Sequence, residues 1–252
     1  MFRATFTPEG EKMEYFRLMT GQLIPAVGLG TWKSGPEARS IGHFAYEMEQ
    51  AGHPKKGDMK GVWREMERLV SDGLVRDLGI CNLTVTKLTK LLNFAHIKPS
   101  VCQVLKEPTP IPKEINPKTC FKANGDEVMA FNQQAYSPLG SGGDKRDLLN
   151  DPVVVRVARK LKKSPAQTLI KWALQRGTSV IPKSTNPDRI KENIQVFGWD
   201  IPEEDFNALS TIKEQKRILD GVIVFVNKKD GPFKSVEELW DFEDGPPITF
   251  AP

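Results

Sequence analysis

The residues of this chain whose types and spacing best suit chemistry lie in one run, Val180-Ile181-Pro182-Lys183-Ser184-Thr185-Asn186-Pro187-Asp188-Arg189-Ile190-Lys191-Glu192-Asn193. An apolar strand passes through a turn into a helix that begins at Pro187. Lys183, Ser184, Thr185 and Arg189 gather at that helix start, where backbone N–H groups have no intrahelical partner. This is the composition of an anion site, and phosphate is the guest it suits. Arg189 can fork onto a phosphate, and Lys183 adds a compact point charge. Arg189 and Asn193, four apart, share one helix face. The plain alternative is a solvated helix start that binds nothing.

That run resembles a signature of the NADPH-dependent aldo-keto reductases, with a likeness to the plant-type aldose and aldehyde reductases. Other stretches resemble the same family in the same order. Gly28-Leu29-Gly30-Thr31-Trp32-Lys33 is similar to its first barrel strand, and Leu78-Gly79-Ile80-Cys81-Asn82 to its fifth, with Cys81 where the family usually has Ser. Gln103 sits where the sixth strand ends, and Tyr136-Ser137-Pro138-Leu139-Gly140-Ser141 is similar to the seventh strand and its loop. Ser235-Val236-Glu237-Glu238-Leu239-Trp240-Asp241 resembles the family's tail. These motifs cover the start of the chain and nearly everything after residue 60.

The resemblance implies a set of roles. Lys183, Ser184, Thr185, Arg189, Glu192 and Asn193 would grip the 2′-phosphate and adenine of NADPH. The amides of Asn82 and Gln103 would meet the nicotinamide carboxamide. Tyr136 would stack on the nicotinamide ring, for which a flat aromatic face is suited; a core tyrosine is the alternative. Ser137 and Leu139, followed by Gly140, Gly142 and Gly143, would bring backbone N–H groups to the pyrophosphate. Thr31 would touch the cofactor, and Trp32 matches a substrate-pocket tryptophan.

The family's catalytic Asp, Tyr, Lys and His have no match. The Tyr is its general acid, with a pKa lowered by the Lys. The patterns Asp-x-x-x-x-Tyr-Gly-Asn-Glu, Ser-Lys-Leu-Trp and His-Trp-Pro do not occur here. Only about thirty residues separate Trp32 from Trp63, and one βα unit with its return strand needs roughly 30. Three such units cannot fit. Tyr46 with Glu49 echoes the Tyr motif faintly, but Ile41 stands where the Asp belongs.

The elements that must position these residues follow from patterning. Phe16–Met19 and Gln22–Val27 flank Thr20-Gly21 and predict a hairpin. Gly28–Trp32 reads as a short strand. Residues 34–60 and 106–130 read as irregular, the latter with Pro108, Pro110, Pro112 and Pro117, which exclude a long helix. Met59–Asp72 reads as an amphipathic helix with Val62, Met66, Leu69 and Val70 inward and Gly73 as its stop. Thr84 or Thr86 can cap the next helix, whose inner face is Leu88, Leu91, Leu92 and Ala95. Helices then follow from Pro152, from Ser164-Pro165, from Pro187 and from Glu203, interleaved with strands ending at Val104, Tyr136 and Ile181.

The fold class expected is α/β: one domain over residues 1–252, an incomplete (β/α)8 TIM barrel of the aldo-keto reductase type with an N-terminal hairpin. Five of eight strands cannot close at the parent diameter. The open edge invites self-association.

A net charge of +4, from 36 basic and 32 acidic residues, favours a small anionic ligand. No basic stripe interleaved with aromatics points to nucleic acid. Lys55-Lys56 and Lys162-Lys163 read as solvated pairs. Cys81, Cys102 and Cys120 form no disulfide framework, with Cys102 read as core, and His43, His53 and His96 give no zinc spacing. Neither a leader peptide nor a membrane span is visible, so a soluble, cytoplasmic protein is expected. Three functions stand open: a remnant with a partial NADPH site, a working reductase of small carbonyl compounds with a replaced acid, and a truncated product that folds poorly.

Overall fold

Backbone pairing between Ala26–Gly30 and Val180–Pro182 sets the architecture. Val180 N–H donates to Ala26 O (2.9 Å), Gly28 N–H to Val180 O (2.8 Å) and Gly30 N–H to Pro182 O (3.0 Å). Proline has no N–H, so the return bond from position 182 is missing. Among the described residues, the expected first strand, Gly28–Trp32, is represented only by a single parallel bridge just before it, Val27 to Val180. The computed structural model describes residues 14–30, 59–81, 83, 85–105, 120–123, 127–130, 132–140, 148–212 and 234–240.

Strands β1 (Tyr15–Arg17) and β2 (Leu23–Pro25) form the predicted antiparallel hairpin, and Gly21 takes the left-handed conformation its turn needs (φ 82°). Helix α1 (Met59–Ser71) leads to β3 (Gly79–Cys81), α2 (Val85–Phe94) and β4 (Val101–Leu105). A second hairpin follows, β5 (Cys120–Ala123) with β6 (Glu127–Ala130), and then β7 (Asn132–Tyr136). A 3-10 turn (Leu148–Asn150) precedes α3 (Pro152–Leu161) and α4 (Pro165–Gln175), then β8 (Ser179–Ile181), α5 (Pro187–Ile194), α6 (Glu203–Ser210) and α7 (Val236–Trp240).

The main sheet has the order β3-β4-β7-β8, all parallel, and Val27 extends it beyond β8. The first strand segment thus lies beside the last, as in a barrel. Among the described residues nothing closes the arc from β3 back to Val27. This is an incomplete barrel wall, as expected.

The helices cover one face in two cores. Val154, Val157, Leu169, Ile170, Trp172 and Val180 lie at the centre of the larger. Trp63, Leu78, Ile80, Leu88, Leu91, Leu92 and Ala95 form the smaller. Local signals explain the helix ends. Asp151 accepts from Val153 N–H and Val154 N–H ahead of Pro152, and Ser164 with Gln167 forms a reciprocal capping box. Asp77 accepts from Thr20 Oγ1 (2.7 Å) and Ser100 Oγ (3.0 Å), tying the first hairpin to the start of the sheet.

Several expectations need correction. In α1, Val62 is 44% exposed and Trp63 is the buried residue, its Nε1 donating to Ile97 O at 3.1 Å; an indole with one polar edge can reach both core and carbonyl. Thr86 lies inside α2 and cannot be its cap. The stretch 106–130 is not irregular throughout: β5 and β6 pair antiparallel over Cys120–Ala130, and the sequence between them contains Asn-Gly, a strong hairpin signal. Of the pair Lys162-Lys163, Lys162 is exposed as expected, at the left-handed C-cap of α3 (φ 53°), whereas Lys163 is half-buried with its Nζ 5.1 Å from the centre of the Trp199 ring. Cys102, expected in the core, is half-buried at the margin of the smaller one.

Candidate functional site

Strand alternation sends every second residue of the sheet away from the helices. Ile80, Ala135 and Val180 enter the two cores, so Cys81, Gln103, Gln134 and Ser179 point to the opposite, concave face. Register joins these four into one rung: Cys81 pairs with Gln103, Gln103 with Gln134, and Gln134 with Ser179. Gln103 Nε2 donates to Gln134 Oε1 at 2.7 Å, and Cys81 Sγ donates to Gln103 Oε1 at 3.9 Å. Ser179 Oγ donates to Asn132 Oδ1 at 2.7 Å. Burial pushes the Cys81 thiol above its ordinary value, so it is a neutral donor.

Two rungs further toward the C-terminal strand ends, Leu105 pairs with Tyr136 and Tyr136 with Ile181. Tyr136 is half-buried there, two residues beyond Gln134. Ser137 follows in the left-handed region (φ 48°), and Gly140 N–H closes the turn onto Ser137 O at 3.0 Å. Leu139 packs against the larger core and anchors that loop.

Lys183 lies two residues past β8. Its ammonium and the Arg189 guanidinium are exposed, and neither has an ion pair or hydrogen bond among the described residues. Ser184 Oγ accepts from Asn186 N–H at 3.1 Å. Asn186 Oδ1 accepts from Asp188 N–H (2.9 Å) and Arg189 N–H (3.1 Å). The expected free backbone donors at the start of α5 are therefore taken by its own cap, and Pro187 has none. An anion placed here would be met by side chains alone: Lys183, Ser184, Thr185 and Arg189. Glu192 is half-buried. Asn193 is only 4% exposed although Arg189, one turn earlier, is in solvent, so the two do not share a solvent face. Gln167 holds the end of α5 through Gln195 O at 3.2 Å.

Thr31, Trp32, Tyr46 and Asn82 lie outside the described residues. The structure brings Gln103, Tyr136 and Ser137 to one rim of the sheet, and Lys183 to Asn193 to the exit of β8. Sequence reading missed Gln134, Ser179 and the cap Asn186. The signal for the first was available: Asn132-Gln133-Gln134 puts three amides in one strand.

The Aldo/keto reductase family profile matches residues 41–214. The chain belongs to the aldo/keto reductase family. It is 41% identical to aldo-keto reductase family 4 member C11 of Arabidopsis thaliana over 189 residues, which is 74% of this chain and 57% of that protein. It is 34% identical to aldo-keto reductase family 1 member A1 of Bos taurus, over 80% of this chain and 64% of that one. The chain thus spans less than two thirds of the length of these curated relatives. The aldose reductase of Schistosoma japonicum superposes with a TM-score of 0.68 at 23% identity, over 88% of this chain and 99% of that chain. An aldo-keto reductase complexed with NADPH superposes at 0.62 with 20% identity, over 80% of this chain and 88% of that one. These superpositions place the aldo/keto reductase fold on the sheet and helices described above. Among the described residues no three His, Cys, Asp or Glu side chains gather to hold a metal, and no helix is long and apolar enough to cross a membrane.

Proposed function

We propose that this aldo/keto reductase relative keeps a partial NADPH site without the family's acid–base group, so that it binds the dinucleotide and reduces carbonyl compounds poorly. One observation carries the reading. Lys183 and Arg189 are exposed cations without a partner among the described residues, on the exit of β8 and the first turn of α5. The donor set fits a phosphate held by side chains. Gly30 leaves the exit of β8 closely covered by backbone rather than by a side chain.

In this reading Lys183, Ser184, Thr185 and Arg189 hold the 2′-phosphate, and Glu192 and Asn193 meet the adenine. Ser137 and Leu139 line the pyrophosphate, Tyr136 stacks on the nicotinamide, and Gln103 with Asn82 reads its carboxamide. Thr31 and Trp32 complete the rim toward a small carbonyl compound. NADPH supplies a hydride when bound. The carbonyl oxygen then needs a proton, and a positioned acid is worth ~10²–10⁴ in rate. The catalytic patterns missing from the sequence support impairment. The arc left open between β3 and Val27 among the described residues supports it too. The named activity of a relative, the NADPH-dependent codeinone reductase of Papaver somniferum, and the NADPH-complexed neighbour support the cofactor. β3, the edge strand of the sheet among the described residues, also supports self-association, which sedimentation of the purified chain would test.

Titration with NADPH, followed by cofactor fluorescence and thermal shift, tests the reading. Saturable binding tighter than that of NADH is expected, with turnover of a simple aromatic aldehyde far below that of full-length relatives. Absent binding would remove the cofactor site. Turnover at ordinary reductase rates would reveal a replacement acid and restore the alternative, an active reductase.

A further inference from the structure

The rung Cys81–Gln103–Gln134 crosses three adjacent strands, β3, β4 and β7, and its middle member is held from both sides. A glutamine amide has two N–H donors and one carbonyl with two lone pairs. Gln134 Oε1 takes one N–H of Gln103 at 2.7 Å, and the Cys81 thiol reaches the Gln103 carbonyl at 3.9 Å. An inverted Gln103 amide would set oxygen against oxygen at Gln134 and offer the thiol an N–H. With Gln134 oriented as it is, the two neighbours set which end of Gln103 is donor and which is acceptor. One N–H and one lone pair are left over. Together they match a primary carboxamide, which also carries a donor and an acceptor side by side. They do not match a carboxylate, which can only accept.

We propose that Gln134 is a positioning residue that orients the Gln103 amide to read the carboxamide of a nicotinamide ring. This rests on the NADPH site argued above and adds a residue to it. Gln134 acts through Gln103, because it lies on the same rung as Gln103 and two residues before Tyr136. Its side chain is half-buried on the concave face, away from both helix-covered cores.

The test compares two ligands across two variants. NADPH carries the carboxamide; adenosine 2′,5′-bisphosphate carries the 2′-phosphate and adenine alone. Gln134→Leu removes the acceptor that holds Gln103, and Gln134→Glu keeps it. Gln134→Leu should weaken NADPH binding about five- to tenfold, the scale of one lost hydrogen bond. It should leave the bisphosphate unchanged. Gln134→Glu should restore most of the NADPH affinity. If Gln134→Leu binds NADPH like the parent chain, or loses both ligands equally, or if Gln134→Glu behaves like Gln134→Leu, the proposal falls while the cofactor site stands. If the parent chain binds neither ligand, the cofactor site itself falls and takes this proposal with it. Thermal unfolding of both variants shows whether a loss is local.

Discussion

Gly30 is pressed against Lys183: a Cβ placed on Gly30 would lie 2.9 Å from Lys183 Cβ and 2.7 Å from Ile181 O. Both neighbours belong to the exit of β8, and one is backbone that cannot swing aside. The glycine is therefore a condition for where Lys183 stands. Gly30→Ala should destabilise the fold by ~1–3 kcal/mol, the usual cost of overpacking, and weaken NADPH binding. Gly28→Ala should be milder, since its Cβ would meet the movable Ile181 Cγ2 at 3.1 Å. Urea unfolding and NADPH titration of the two variants check this; equal effects would refute the argument.

Arg189→Ala should weaken NADPH and leave NADH nearly unchanged, because only NADPH carries a 2′-phosphate. A charge-assisted hydrogen bond is worth about 1.5–3 kcal/mol, roughly ten- to hundredfold in affinity. The two dissociation constants measured side by side decide it, and parallel losses for both cofactors would sink the assignment of Arg189.

Ser137 holds a left-handed backbone (φ 48°) directly after Tyr136. A residue with a Cβ pays roughly 1–2 kcal/mol there. Ser137→Gly should match or exceed the parent in stability by up to ~1 kcal/mol, since glycine's greater freedom in the unfolded chain offsets part of the relief. Ser137→Val should be clearly less stable than either. Thermal melts give the order, and a stable valine variant would show that the strain is absent.

Glu67 ties α1 to the loop after α2. Burial works to raise its carboxyl, but hydrogen bonds from Ile97 N–H (2.9 Å) and His96 N–H (2.7 Å), with the His96 ring at 3.4 Å, outweigh it and hold the carboxyl below its ordinary value. A folded carboxyl below its unfolded value stabilises the fold above about pH 4.3 and loses that contribution as pH falls through the folded value. Glu67→Gln should therefore be less stable than the parent at pH 7, with the gap closing toward pH 3. Denaturant midpoints across that range check the sign; a gap that widens in acid would contradict it.

The sequence alone determined the local elements and the family. Ser164-Pro165, Asn186-Pro187 and Gly177 mark helix ends because caps and φ preferences act over a few residues. The run of basic and polar residues from Lys183 to Asn193 at the start of α5 was legible for the same reason: its members are neighbours in the chain. The missing catalytic patterns were legible as missing text. The tertiary structure decided the rest. Only strand register puts Cys81, Gln103 and Gln134, from three separate strands, on one rung, and register depends on which strands pair, not on any one of them. Only packing shows that Gly30 abuts Lys183 across about 150 residues of chain. Whether the helix start of α5 offers free N–H groups was likewise decided by a rotamer, that of Asn186, which turns its own oxygen onto them.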